Sequence, residues 1–125
     1  MILDTNALSA IASGDPAAEA AFGSAEYIGI PVIVLGEYRF GIQHSRHRRD
    51  YEAWLSANLP ACQVLDVTEQ TAVTYAAIRS ELRAAGTPIP SNDAWIAALC
   101  RQHARPLLSR DGHFDKVKDL RRIDW

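Results

Sequence analysis

Four acidic residues are spaced so that one folded site could gather them: Asp4 in "MILDTN", Glu37 in "VLGEYRF", Asp93 in "PSNDAW" and Asp111 in "LSRDGHF". Asp4 ends a short apolar run, and Asp111 follows "PLLS" by two residues. Glu37 interrupts an apolar stretch, and Asp93 falls in the first turn of a helical pattern, where backbone N–H groups favour a negative side chain. Each also has an ordinary structural role open to it. Asp4 can cap the helix after it, Asp93 can serve a helix N-terminus, and Asp111 can belong to a turn before Gly112. Gathered together, they need a cation. Two carboxylates about 4 Å apart repel by about 4 kcal/mol at an effective dielectric of ~20, so one protonates or a metal joins them. Oxygen ligands of this kind suit Mg²⁺ or Mn²⁺, and no Cys/His set has zinc spacing. A Mg²⁺ site retains waters, one of which can be activated toward phosphorus. Asn6 and Ser109 are the neutral polar neighbours. They fit a metal-bound water or a phosphate oxygen as well as they fit caps and turns.

The elements that must position these acids alternate strand and helix. "MIL", "YIGI" (27–30), "CQVLDV", "PLLS" (106–109) and "RRIDW" read as strands. Residues 5–13 and 15–23 read as helices, the second with Asp15 as N-cap, Pro16 in its first turn and Gly23 as its stop. Residues 31–42 are expected to be a helix with Pro31 at its first position, and 47–58 another with Tyr51, Trp54 and Leu55 at helical spacing. The longest helix runs from Thr68 to Gly86, with Val73, Ala76, Ala77 and Leu82 expected to face the sheet. A helix capped by Ser91 or Asn92 follows, and "DGHFDKV" is a loop or turn. Such alternation predicts an α/β fold: a mostly parallel, doubly wound sheet covered on both faces, in one domain spanning 1–125. In such sheets ligands bind beyond the C-terminal strand ends where the winding reverses, so Asp4 and Asp111 share a crevice if their strands are neighbours there.

The formal charge of −2 carries no global sign of nucleic-acid binding. Its distribution is more telling, because all but two of the 13 basic residues are arginine. "HSRHRRD" gathers Arg46, Arg48 and Arg49, and Arg110 precedes Asp111; the planar guanidinium suits phosphate. Solvated helix faces explain such clusters equally well. Cys62 and Cys100 form no metal pair and are expected to be reduced thiols. No segment has the pattern of a targeting peptide or a membrane span, so a soluble cytoplasmic protein is expected. Leu8, Ile11 and Phe22 in the early helices are core candidates, or a partner face if exposed.

"MILDTNALS", "VIVLGEYRFGI", "IPSNDAWIAALC" and "LLSRDGHFDKVKDLRRIDW", in this order and at these spacings, resemble the PIN-domain ribonucleases, and among them the VapC-type toxins of toxin–antitoxin pairs. The resemblance implies a PIN-like three-layer α/β/α sandwich with a five-stranded parallel sheet in the order 3-2-1-4-5. It implies that Asp4, Glu37, Asp93 and Asp111 bind Mg²⁺ or Mn²⁺ and support hydrolysis of RNA phosphodiester bonds, inhibiting translation or growth. Asn6 and Ser109 match polar positions of the pattern, and Arg46, Arg48, Arg49 and Arg110 would guide the RNA backbone. Many relatives carry a further Asp where this chain has His113. Asp115 is a candidate substitute, whereas His113 is expected to pack beside Phe114, with RNA contact or proton transfer as its functional alternatives. A VapB-like antitoxin covering the acidic crevice, a tRNA or rRNA substrate and a homodimer are the implied partners. Other readings are a PIN nuclease of RNA maturation and a module that binds RNA or protein without cutting. A receiver domain or an aspartate-nucleophile phosphatase would need adjacent acids or D-x-D after the first strand, and "LDTNA" has neither.

Overall fold

The first strand is two residues long, and it is the middle of the sheet. The computed structural model describes residues 1–125. β1 (Ile2–Leu3) is followed by α1 (Thr5–Ala12), α2 (Pro16–Ser24), β2 (Gly29–Pro31), α3 (Val32–Ile42), α4 (Arg48–Asn58), β3 (Gln63–Leu65), α5 (Glu69–Ala84), α6 (Ser91–Gln102), β4 (Leu107–Leu108) and β5 (Arg122–Ile123). Short 3-10 turns cover Leu59–Ala61 and Gly112–Lys116. The strand order is β3-β2-β1-β4-β5, and every pair is parallel. Ile2 pairs with Leu107 and Leu3 with Leu108. Winding therefore proceeds one way from β1 to β2 and β3, and the other way to β4 and β5, which puts the reversal at β1 and β4.

Consecutive strand residues point to opposite faces. Ile2, Leu3, Leu107 and Leu108 are all fully buried, so both faces of the sheet centre are covered, as a three-layer sandwich requires. The core is one cluster of 27 buried residues that includes Leu8 and Ile11 of α1. Phe22 is half-buried and packs on Trp54, with ring centroids 6.4 Å apart. No helix is long and apolar enough to cross a membrane.

Several local expectations are corrected. Pro31 closes β2 and stands as N-cap of α3, because it pairs with Leu65 across the sheet before the chain turns into the helix. On α5 the inward stripe is Thr71, Tyr75, Ile78 and Leu82, while Val73 is 64% exposed and Ala76 and Ala77 face solvent. The reason is that two polar-ended residues find partners inside. Thr71 donates from Oγ1 to Gln102 Oε1 at 2.6 Å, and Tyr75 stacks on Trp95 with centroids 3.8 Å apart. Neither Ser91 nor Asn92 caps α6; Pro90 holds that position without a side-chain bond, and Ser91 Oγ accepts from Arg79 instead. By contrast Asp15 caps α2 by accepting from Ala17 N and Ala18 N, and Thr68 forms a capping box with Thr71 at the start of α5.

Candidate functional site

Asp4 leaves the end of β1, and its backbone N–H donates to Leu108 O at 3.1 Å, which extends the β1–β4 ladder. That ladder brings it beside Ser109, the residue after β4. Asp4 Oδ2 accepts from Ser109 Oγ at 2.6 Å and from Asn6 Nδ2 at 3.0 Å, and Oδ1 accepts from Thr5 N at 2.8 Å as the N-cap of α1. The side chain thus serves cap and crevice together. It is only 5% exposed, and burial raises its pKa; the bonds from Ser109 and Thr5 oppose this, while the charges of Asp93 and Asp111 add to it.

Asn6 and Ser109 knit the two strand ends into a frame. Asn6 Nδ2 reaches Ser109 Oγ at 3.3 Å, and its Oδ1 accepts from Arg110 N at 3.3 Å. Ser109 Oγ also accepts from Asp111 N at 3.0 Å. Asp111 then caps the following 3-10 turn by accepting from His113 N at 2.9 Å.

Asp93 projects from the first turn of α6 toward the same edge. Its pKa is raised by burial first and by Asp111 next, with the hydrogen bond to His113 pulling the other way. The imidazole does not pack into the core beside Phe114, which is fully buried. Its Nδ1 lies 3.1 Å from Asp93 Oδ2 and 3.3 Å from Asp111 Oδ1, and the side chain is 45% exposed. One ligand-type atom from each of Asp93, Asp111 and His113 falls within 4.8 Å of the others.

Glu37 approaches from the second turn of α3. Its pKa is raised by burial first, then by the charges of Asp4 and Asp93. Glu37 Oε1 is buried without a hydrogen-bond partner, and so is Thr5 Oγ1 beside it along a cavity of about 250 Å³. Asp4, Glu37 and Asp93, all with raised pKa values, form with Asp111 a site short of positive charge, a set that a hard divalent cation fits.

The structure assigns other duties to several candidates. Asp115 is held in a two-pronged ion pair by Arg122, at 2.8 and 3.0 Å, and does not turn toward the other acids. Arg110 lies over the Trp125 ring at 4.4 Å, donates to Trp125 O at 2.8 Å and faces Asp124 at 3.5 Å, so the C-terminal residues hold it. Arg48 pairs with Glu52 at 2.8 Å on α4, while Arg46 and Arg49 are exposed and away from the crevice's framework of bonds.

A family model described as PIN domain matches residues 1–120. The chain belongs to the PIN-domain family. Among its relatives is Ribonuclease VapC4 of Mycobacterium tuberculosis, 31% identical over 94 residues that cover 74% of this chain and 72% of that one. The PIN fold is matched by the crystal structure of DNA-bound VapBC from Salmonella typhimurium, with a TM-score of 0.87, 25% identity, and 99% of this chain and 96% of that chain covered. VapBC2 from Rickettsia felis bound to a promoter DNA fragment has the same fold, with a TM-score of 0.88, 23% identity, and 99% and 97% covered.

Sequence reasoning missed one residue of the framework around these acids. Arg122 donates to Ser109 O at 3.0 Å while gripping Asp115 and Asp124, which steadies the end of β4 from the next strand. Its position inside "RRIDW", on the last strand and two residues before Asp124, was the available signal. The cavity beside Glu37, lined by Ser9, Ser13, Tyr38 and Tyr51 among others, had none, because its walls come from three helices.

Proposed function

We propose that this chain is a divalent-metal-dependent endoribonuclease and the toxin of a VapBC-type toxin–antitoxin pair. The single observation that carries the chemistry is the convergence of Asp4, Glu37, Asp93 and Asp111, three of them with raised pKa values, at the reversal of a parallel sheet. The ribonuclease names of its relatives and the VapBC complexes among its structural neighbours support the substrate and the biological role.

In this reading Asp4, Asp93 and Asp111 hold Mg²⁺ or Mn²⁺, and Glu37 is a further ligand or the base that orients the attacking water. A divalent ion bound there would offset charge on the phosphoryl oxygens and lower the pKa of a water. The protein's own contribution is alignment. Ser109 and Asn6 fix the Asp4 carboxylate, Ser109 Oγ fixes the turn that carries Asp111, and α6 presents Asp93. Glu37, whose carboxyl pKa is raised by burial and by the charges of Asp4 and Asp93, suits the role of accepting a proton or a hydrogen bond from the nucleophile. Arg46, Arg48 and Arg49 attract the RNA backbone from the flank. Arg110 serves by holding the C-terminal residues beside the crevice.

A VapB-like antitoxin would cover the crevice with a cationic side chain facing the carboxylates, and the toxin is taken to be a homodimer. The test is cleavage of total RNA with Mg²⁺, with Mn²⁺ and with EDTA, with ends mapped and Asp93→Asn as control. Cleavage that needs metal and Asp93 is expected. Cleavage at the wild-type rate by the variant, or in EDTA, overturns the assignment. Light scattering of the purified protein alone checks the dimer.

A further inference from the structure

Three electron-rich atoms meet at one point of the crevice with few protons to share. Asp93 Oδ2 and Asp111 Oδ1 both lie near His113 Nδ1, at 3.1 and 3.3 Å. A single N–H satisfies one of these oxygens well and leaves the other on the same nitrogen. The spacing has a second meaning. An octahedral ion with ligands about 2.1 Å away has neighbouring ligands about 3.0 Å apart and opposite ones about 4.2 Å apart. The three donor atoms lie within 4.8 Å of one another, which is that range with little adjustment.

The ring is also held in place. Its backbone N–H donates to the Asp111 carboxylate at 2.9 Å, inside the turn that Asp111 caps, and the next residue, Phe114, is anchored in the core at 0% exposure. A histidine kept for packing would bury its ring, whereas this side chain is 45% exposed and directed at two acids.

We propose that His113 is itself a ligand of the metal centre through Nδ1, which makes the centre a mixed oxygen–nitrogen site that selects first-row transition ions, Co²⁺ and Mn²⁺, over Mg²⁺. The proposal rests on the metal-centre reading above. Its chemical basis is that carboxylates and water suit Mg²⁺, whereas an imidazole nitrogen gives little to that hard ion and progressively more to Mn²⁺ and Co²⁺. Losing even an outer partner of a metal ligand typically costs about 10-fold in affinity, so a lost direct ligand costs at least this for the ion that prefers nitrogen.

Two measurements on the full chain at constant pH test it. Calorimetric titrations with Co²⁺ alone and Mg²⁺ alone give the ratio of affinities for wild type, His113→Ala and His113→Asp. Wild type is expected to favour Co²⁺, and each variant to lower the Co²⁺/Mg²⁺ ratio about 10-fold, with His113→Asp gaining Mg²⁺ affinity. Pulsed electron paramagnetic resonance of Mn²⁺ bound to wild type is expected to show coupling to a ligand nitrogen, a readout that needs no variant to fold. Bound Mn²⁺ without nitrogen coupling, together with an unchanged affinity ratio, overturns the role of His113 and leaves the metal centre standing. Failure of all three ions to bind wild type overturns the metal centre and this proposal with it.

Discussion

Removing one charge from the acidic crevice should stabilise the metal-free protein, and Asp93→Asn is the cleanest way to do it. A carboxylate oxygen of Asp93 and one of Asp111 are no more than 4.8 Å apart, a separation at which full charges repel by about 3.5 kcal/mol at an effective dielectric of ~20. The net effect is smaller. The Asp111 side chain is 34% exposed, so solvent screens much of the repulsion, and Asp93 gains about 0.5 kcal/mol from the N-terminus of α6. Asparagine keeps an oxygen to accept from His113. A net gain of about 1 kcal/mol remains, worth about 4 °C in Tm for a domain of this size. The sign follows from linkage. The pKa of Asp93 is raised by folding, so its contribution is favourable below the unfolded value and is lost as pH rises through the folded one. The gain from Asp93→Asn should therefore be present at pH 7.5 and vanish near pH 3.5. Saturating Mg²⁺ should reverse the order at pH 7.5, because ligand at 100 times its Kd stabilises wild type by about 2.7 kcal/mol and the variant by far less. Thermal melts in EDTA and in Mg²⁺ at the two pH values measure all of this. A variant that melts below wild type in EDTA at pH 7.5 refutes the claim that the crevice is short of positive charge.

Further outcomes follow from single contacts. Ser109→Ala strips the buried Asp4 carboxylate of its shortest hydrogen bond and orphans Asp111 N, so it should lower stability by about 1–3 kcal/mol in urea unfolding while circular dichroism stays native. Gly29→Ala places a methyl group 3.0 Å from Leu65 Cδ1 and 3.1 Å from Ile2 Cγ1 between the central strands, and overpacking of this kind should cost about 1–3 kcal/mol by the same assay. Cys100 is 2% exposed and burial pushes its thiol pKa far up, so a thiol reagent at pH 8 should modify Cys62 in the native state and reach Cys100 only on unfolding.

The alternation of apolar runs and helical patterns was enough to recover the layers, because a two-residue strand flanked by helices has few other places to go. The strand order was not readable from periodicity; it came from resemblance, and the pairing of Ile2 with Leu107 bears it out. Errors arose where a polar atom found a partner far along the chain. Thr71 and Tyr75 were not among the residues of α5 expected to face the sheet, but Gln102 and Trp95 draw them inward, and Ala76 and Ala77 are left facing solvent. Asp4, Asp93 and Asp111 stood out in the sequence by their positions at element ends, and Glu37 by interrupting an apolar stretch. The bridging role of His113 was not, since it depends on how a 3-10 turn aims one ring. The occupation of Arg110 by Trp125 was hidden for the same reason, as the two residues meet only when β5 folds back beside β4.

The hydrogen bond from Ser109 to Asp4 joins residues 105 positions apart. During synthesis, therefore, Asp4 is made well before the residue that frames it. Until β4 arrives, β1 has only β2 beside it and the Asp4 carboxylate lacks the hydroxyl that orients it. A ribosome-bound fragment ending before Leu107 contains Asp4, Glu37 and Asp93 but neither the frame nor Asp111. Chain topology thus withholds the frame of the crevice until β4 has paired with β1.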